Sequence, residues 1–276
     1  IGSIDVNPAN GELYLKEMNR QQIHVYSLDG KFKHSFTFPE GKRMSRMCLF
    51  SPDYLIAEQE SKVPDDQDAN FYPYLLVSTR DGHLDSLDYV QKRNILVKLI
   101  VNAENHSYAY LLEPSLIRNG SRFYIGNPDS DTLFAMNPDR TLEPLLVRTP
   151  SHSEEGNKYG LFLRGAAGAY FFLTKQPMEV PMNSIESLDL KSEEWLYDCR
   201  TQEVCRYLLK NKDDASKRVE GIMFFCYPED CGLAVLKSED LMDAYEAGQL
   251  SGELKEIAAG LKADDNPVLM LIHFKK

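Results

Sequence analysis

The chain has 276 residues, 43% of them hydrophobic and 26% charged, which allows a large core and excludes a disordered chain. A formal net charge of −11 argues against binding to nucleic acids or to anionic membrane surfaces. The longest apolar stretch, residues 161–173, is too short to cross a bilayer and contains Arg164, so no transmembrane segment is predicted. The 15 Tyr and 13 Phe favour β-structure.

A turn rich in Gly, Pro, Asn or Asp, followed by a short apolar strand, recurs along the chain. It occurs in residues 7–15, 51–56, 118–125, 164–172 and 227–235. Each copy also has an apolar segment before its turn. Each copy therefore predicts a strand, a tight turn and a second strand.

A second turn follows in most copies, at Asp29, Asp81 and Asp139, at intervals of about 50 to 60 residues. Asp-Gly at the first two is a strong hairpin signal, because glycine accepts the positive φ that such turns require. A weaker fourth copy begins at Trp195. A period of this size, with about four strands per copy, predicts the four-stranded antiparallel blades of an all-β propeller. The alternative is a β-sandwich, which seldom keeps such a spacing.

We therefore predict a single β-propeller domain over residues 1–276, with about five blades visible. Their approximate limits are residues 2–40, 44–103, 110–150, 158–212 and 219–276. Near the carboxyl end, residues 238–262 predict a short helical insertion, with Ser238 and Ser251 as N-caps. Residues 268–274 then predict a closing strand, buried and fully paired beside residues 233–236.

Four of the five cysteines form two close pairs in sequence. A short loop would place Cys199 opposite Cys205, and another would place Cys226 opposite Cys231, so both pairs are candidate disulfides. The alternative is free, half-buried thiols. Cys48 is left over in either case. Neither pair has the spacing of a zinc knuckle.

No catalytic, cofactor-binding or metal-binding residue is predicted. Asp66, Asp68 and Asn70 match the first half of a calcium loop, but Phe71 and Val77 occupy positions that require Gly and Glu. No two of the six His lie within one turn of each other. The sequence also lacks a G-x-S-x-G elbow, a phosphate-binding glycine loop and a dinucleotide fingerprint.

Two further side chains bear on function. The predicted first strands of the blades offer Asp5 and little else that is polar, which argues against an enzyme built on those strands. Trp195, the only tryptophan, has two interpretations. It is either a platform on which a sugar stacks or a core residue packed between blades.

Residues 11–36 and 261–275, GELYLKEMNRQQIHVYSLDGKFKHSF and LKADDNPVLMLIHFK, resemble the six-bladed, NHL-like β-propellers of Bacteroidetes. Many of those proteins are predicted lipoproteins. The resemblance implies six blades, so this chain is expected to lack an amino-terminal blade. It carries over no catalytic residue.

Composition and resemblance together predict a non-catalytic binding or scaffolding propeller. Its expected location is the cell envelope, in the periplasm or on the outer surface, with a lipid anchor in a segment absent here. The expected partner is a protein or a glycan, with no cofactor. The alternative is a metal-assisted hydrolase or lyase that acts at the axial channel of the propeller.

Overall fold

The structure is a computed structural model of the whole chain. It describes residues 2–17, 20–39, 43–59, 73–87, 97–101, 107–111, 115–126, 130–151, 154, 159–177, 179–181, 192–214, 219, 222–224 and 230–274. Six antiparallel sheets and two short helices make up the regular structure of these residues. None of their helices is both long enough and apolar enough to cross a membrane.

Four of the sheets have four strands each, hydrogen-bonded mostly between neighbours in sequence. The first contains β1 (Ser3–Asn7), β2 (Glu12–Lys16), β3 (Gln22–Ser27) and β4 (Phe32–Thr37). The second contains β5 (Met44–Ser51), β6 (Tyr54–Gln59), β7 (Tyr74–Ser78) and β8 (Leu84–Ser86). The third contains β11 (Ser115–Asn119), β12 (Arg122–Gly126), β13 (Thr132–Met136) and β14 (Leu142–Val147). The fourth contains β15 (Tyr159–Ala167), β16 (Tyr170–Pro177), β18 (Glu193–Asp198) and β19 (Glu203–Arg206).

The other two sheets have three strands each. One has the order β17 (Glu179–Pro181), β10 (Ser107–Leu111), β9 (Val97–Val101), and none of its strands was predicted from the sequence. The other has the order β20 (Met223–Phe224), β21 (Cys231–Leu236), β22 (Val268–His273). Six residue pairs join β21 to β22, which confirms the predicted pairing of the closing strand. The blade limits given above stay a prediction.

The predicted Asp turns lie where expected, between the third and fourth strands of the first three sheets. Gly30 and Gly82 follow their Asp residues with φ of 85° and 74°. In the third turn Arg140 takes this left-handed conformation, with φ of 73°. Its guanidinium forms an ion pair with Asp85 at 2.9 Å and lies 4.9 Å from the ring centroid of Tyr54. These contacts offset the backbone strain that a non-glycine residue has there.

The chain divides into two compact units. The first contains residues 1–116, 125–158 and 178–189, and the second contains residues 117–124, 159–177 and 190–276. In the first unit, side chains from the sheets β1–β4 and β5–β8 interdigitate in one hydrophobic core. Its largest members include Tyr14, Ile23, Met44 and Leu55, all fully buried.

In the second unit, the sheet of β15, β16, β18 and β19 is packed on both faces. The Phe171 ring meets the Tyr124 ring edge-on, with centroids 4.7 Å apart. The next residue, Phe172, points to the opposite face, where its ring centroid lies 5.0 Å from that of Phe274. Alternate residues of a strand point to opposite faces. This explains why the apolar run of β16 does not alternate with polar residues.

The predicted helical insertion is present as α1 (Ser238–Glu246) and α2 (Gly252–Ala258). The two helices bury a small core of their own, which includes Leu241, Leu250 and Leu254. Ser251 is the N-cap of α2, as predicted.

The prediction of Ser238 as an N-cap is wrong, because Lys237 is the N-cap and Ser238 is the first helical residue of α1. The Ser238 hydroxyl lies 3.1 Å from the carbonyl oxygen of Asp265 and 2.8 Å from that of Asn266. It therefore ties the start of the insertion to the turn before β22.

Candidate functional site

Three metal-ligating side chains meet where β21 begins and β22 ends. Cys231 is the first residue of β21, and the antiparallel register places it directly opposite His273, the last residue of β22. Directly opposed residues of an antiparallel pair point to the same face of a sheet. Asp230 immediately precedes β21. The backbone therefore brings together a thiol, an imidazole and a carboxylate.

The distances between these groups are short. The Cys231 Sγ lies 3.1 Å from the His273 Nδ1 and 3.7 Å from an oxygen of the Asp230 carboxylate. All three candidate ligand atoms lie within 4.8 Å of one another. Among the described residues, this is the one group of three or more His, Cys, Asp or Glu side chains with such a spacing.

The surroundings of Cys231 do not favour a nucleophilic thiolate. Its side chain is buried, whereas Asp230 is half-buried and His273 is exposed. Burial and the negative charge of the Asp230 carboxylate both raise the pKa of the Cys231 thiol. In a catalytic Cys–His–Asp arrangement the carboxylate orients the imidazole, whereas here it lies beside the sulfur.

An apolar strip continues from this group along the same face. Leu233 lies opposite Leu271, and Val235 lies opposite Leu269. Leu269 is 64% exposed, Leu271 is 52% exposed and Val235 is 45% exposed. The prediction that the closing strand buries its large side chains is therefore wrong for this face, because no described segment covers it. We call Leu233, Val235, Leu269 and Leu271 the aliphatic strip.

The predicted register of the first cysteine pair is wrong. Cys205 lies opposite Leu196, whereas Cys199 belongs to a four-residue turn, residues 199–202. The turn is longer than predicted because Asp198 pairs with Glu203 and its carboxylate accepts the backbone N–H of Arg200.

Among the described residues, Cys48, Cys199, Cys205 and Cys231 form no disulfide in the structure. Cys226 lies outside the described residues. Disulfide formation at either pair therefore stays a prediction.

Trp195 matches neither interpretation fully. It is half-buried, and the Arg206 guanidinium lies 5.4 Å from its ring centroid. Its indole N–H donates to the Glu193 carboxylate at 3.2 Å. The same carboxylate forms an ion pair with the Arg206 guanidinium at 2.7 Å. One ring face is thus already covered by a cation, which leaves less of the ring for a sugar.

Asp5 has a structural role within the first unit. Its carboxylate accepts the backbone N–H of Leu49 at 2.5 Å, which ties β1 to β5. Glu58, a buried carboxylate that the sequence did not single out, accepts the backbone N–H of Leu116 at 3.1 Å. Both side chains hold neighbouring strands together.

The sequence missed the group at Cys231 because 42 residues separate Cys231 from His273. The available signal was the predicted pairing of the closing strand with residues 233–236. Extended to the ends of both strands, that pairing places His273 near Cys231. The calcium-like segment with Asp66, Asp68 and Asn70 lies outside the described residues.

No family model matches the chain, and no curated protein sequence matches it significantly. Solved structures do resemble it. A protein described as exported, from Bacteroides fragilis NCTC 9343, superposes with a TM-score of 0.64 at 13% identity, over 100% of this chain and 77% of that one. A DUF4221 family member from Bacteroides vulgatus has a TM-score of 0.48 at 8% identity, over 95% and 76%. The β-propeller domain of Cps50 (Swd1) from Myceliophteria thermophila has a TM-score of 0.41 at 12% identity, over 84% and 79%.

The chain is therefore an all-β propeller built from four-stranded antiparallel blades, with a short helical insertion near its carboxyl end. At 13% identity, the likeness to the Bacteroides fragilis protein concerns the fold alone. The number of blades and the NHL-like character stay predictions.

Proposed function

We propose that this chain is a non-catalytic binding or scaffolding propeller of the bacterial cell envelope. Its fold resembles that of a Bacteroides protein described as exported, which supports export to the periplasm or the outer surface. We also propose a lipid anchor in a segment outside these residues, and a propeller of six NHL-like blades.

The observation that carries the binding role is the aliphatic strip. Leu269, Leu271 and Val235 expose close to half or more of their surface on one face of a sheet. A contiguous patch of exposed apolar side chains on a protein surface marks an interaction site. The strip contains no aromatic ring on which a sugar can stack, so its chemistry suits an apolar protein surface. We therefore infer a protein partner.

Two described carboxylates support a non-catalytic role. Asp5 and Glu58, which belong to the first two sheets, both accept backbone N–H groups from neighbouring strands. A carboxylate held in this way stabilises the framework and is poorly placed to exchange protons with a substrate.

Site-specific photocross-linking in envelopes tests the partner. A photoreactive phenylalanine replaces Leu271 in the full protein, expressed with a tag in a Bacteroides host. The matched control places the same group at Leu28, which is 58% exposed in the turn after β3. Cell fractionation of the same strain measures localisation.

We expect an envelope protein cross-linked from position 271 and not from position 28. A second substitution within the strip, Leu269→Lys, should abolish that product. A cross-link within the same polypeptide would show that the chain covers its own strip, and would contradict the partner role. A glycan adduct at 271, or equal labelling at both positions, would contradict it as well.

The alternative, a metal-assisted hydrolase or lyase, is favoured by the group of Asp230, Cys231 and His273. Its test is turnover of a panel of lactones and polysaccharides with and without added Zn²⁺. Turnover that requires both the metal and His273 would displace the non-catalytic proposal. Equal rates for the parent protein and His273→Gln would reject the alternative.

A further inference from the structure

We propose that Asp230, Cys231 and His273 bind a zinc ion. This metal site does not depend on a partner at the aliphatic strip.

The geometry is close to that of a tetrahedral zinc centre. With a Zn–S bond of about 2.3 Å and Zn–N or Zn–O bonds of about 2.1 Å, neighbouring ligand atoms lie about 3.6 Å apart. The observed separations from the Cys231 Sγ are 3.1 Å to His273 and 3.7 Å to Asp230. The third separation, between His273 and Asp230, is at most 4.8 Å, so changes in the side-chain torsion angles of exposed His273 and half-buried Asp230 would bring the three atoms to tetrahedral spacing.

The donor set selects the class of metal. One sulfur, one nitrogen and one carboxylate oxygen suit Zn²⁺, whereas Mg²⁺ and Ca²⁺ prefer oxygen ligands alone. A bound cation would also supply the positive charge that a buried thiolate beside a carboxylate needs. Since His273 is exposed, the fourth position faces solvent and water can occupy it.

The site would act as a clip between two strands that are distant in sequence. β21 ends at Leu236 and β22 starts at Val268, with the helical insertion between them. The three ligands lie at the opposite end of this strand pair from the insertion. A metal ion there would link β21 and β22 at the end that the insertion does not join. It should stabilise the folded state because the unfolded chain has no preformed site.

Cobalt substitution gives a direct readout. The reduced, metal-free protein is titrated with Co²⁺, and absorption is recorded for sulfur-to-metal charge transfer and for the d–d bands of tetrahedral cobalt. Competition with Zn²⁺ then measures the zinc affinity. We expect one equivalent of cobalt with a thiolate band, displaced by one equivalent of zinc.

Single substitutions assign the ligands. Cys231→Ser should abolish the charge-transfer band. His273→Gln and Asp230→Asn should each weaken zinc binding about 10-fold or more. Loss of a group that only hydrogen-bonds a metal ligand already has an effect of this size, and loss of a ligand should have at least as large an effect. Cys205→Ser, at an exposed thiol of another sheet, and Cys226→Ser are the controls and should leave band and affinity unchanged. Circular dichroism of each variant confirms that it is folded.

Thermal melting gives a second readout that a surface-bound ion would not reproduce. The melting temperature of the parent protein should rise with zinc concentration, and His273→Gln should need about 10-fold or more zinc for the same rise. The proposal fails if the parent protein shows no thiolate band, if the band survives Cys231→Ser, or if it disappears with Cys205→Ser or Cys226→Ser. Any of these results would leave the proposed partner role untouched.

Discussion

Strands β7 and β22 both consist mostly of large apolar residues, but they differ in burial. β7 reads YLLVS, and its first four side chains are all buried. β22 reads VLMLIH, and its side chains alternate between half-buried and exposed. β7 lies between β6 and β8 in a sheet whose two faces are covered, whereas β22 lies last in the order of its sheet. An apolar run therefore determines that a strand forms, and its neighbours decide how much of it is buried.

The largest expected effect comes from deleting residues 267–276, which removes β22. Six residue pairs with β21 and the contact between Phe274 and Phe172 would be lost together. We expect a loss comparable to the whole stability of a typical domain, about 5–15 kcal/mol. Soluble yield and circular dichroism melting measure it. Deletion of residues 275–276 alone is the control and should have no effect. A soluble, cooperatively melting truncation would show that β22 is peripheral despite its pairing.

A pair of alanine substitutions tests the difference in burial directly. Leu76→Ala in β7 removes a fully buried side chain, and we expect a loss of about 2–5 kcal/mol in the free energy of unfolding. Leu271→Ala in β22 removes a half-exposed one, and the expected loss is below about 1 kcal/mol. Urea unfolding of both variants gives the comparison. Equal losses would mean that the aliphatic strip is covered in solution.

Two glycines test how closely the first two sheets pack. A Cβ added at Gly82 would lie 2.6 Å from the Phe36 ring, whereas one added at Gly30 would meet nothing within 4 Å. Both residues have positive φ, so alanine strains both turns by about 1–2 kcal/mol. We expect Gly82→Ala to lose about 1–3 kcal/mol more than Gly30→Ala. Equal stabilities in urea unfolding would show that the Phe36 ring moves aside freely.

The buried Tyr14 predicts a smaller effect that depends on pH. Burial and the 2.5 Å hydrogen bond to Glu12 raise the pKa of Tyr14 to about 12. A raised pKa favours the neutral phenol in the folded state, so its contribution is complete below about pH 10 and is lost as the pH rises towards 12. The loss should be about 1 kcal/mol at pH 11.

Urea unfolding of the parent protein and of Tyr14→Phe between pH 9 and 12 measures this dependence. The variant should lose less stability with rising pH. Some dependence should remain in it, because burial also raises the pKa of Tyr207. Identical slopes for the two proteins would contradict the role assigned to Tyr14.

Local signals predicted the turns well. The Asp residues at positions 29, 81 and 139 lie in the expected turns. Such a turn depends on the Asp side chain and on the backbone only a few residues away, which the local sequence specifies. The same logic failed at Cys199, where the Asp198 carboxylate starts a longer turn than the cysteine spacing suggested. The error shifted the register and so changed which residue faces Cys205.

The candidate site was beyond local reasoning. Cys231 and His273 become neighbours only through the register of two strands on either side of the helical insertion. Asp5 is an isolated polar residue in the sequence, yet its carboxylate accepts a backbone N–H from another sheet. Glu58 resembles any strand carboxylate in the sequence. Its partner, the backbone N–H of Leu116, lies 58 residues away in the chain.

By itself, the sequence determined the all-β character, the repeated hairpins, the insertion and the pairing of the closing strand. These features depend on short-range turn chemistry and on the apolar content of each segment, which residue types encode directly. Only the tertiary structure decided that β7 is buried and that β22 keeps an exposed face. It alone placed the Cys231 thiol 3.1 Å from the His273 ring. Burial and convergence depend on which segments lie next to one another in space. Local sequence does not encode this for two residues that are 42 positions apart.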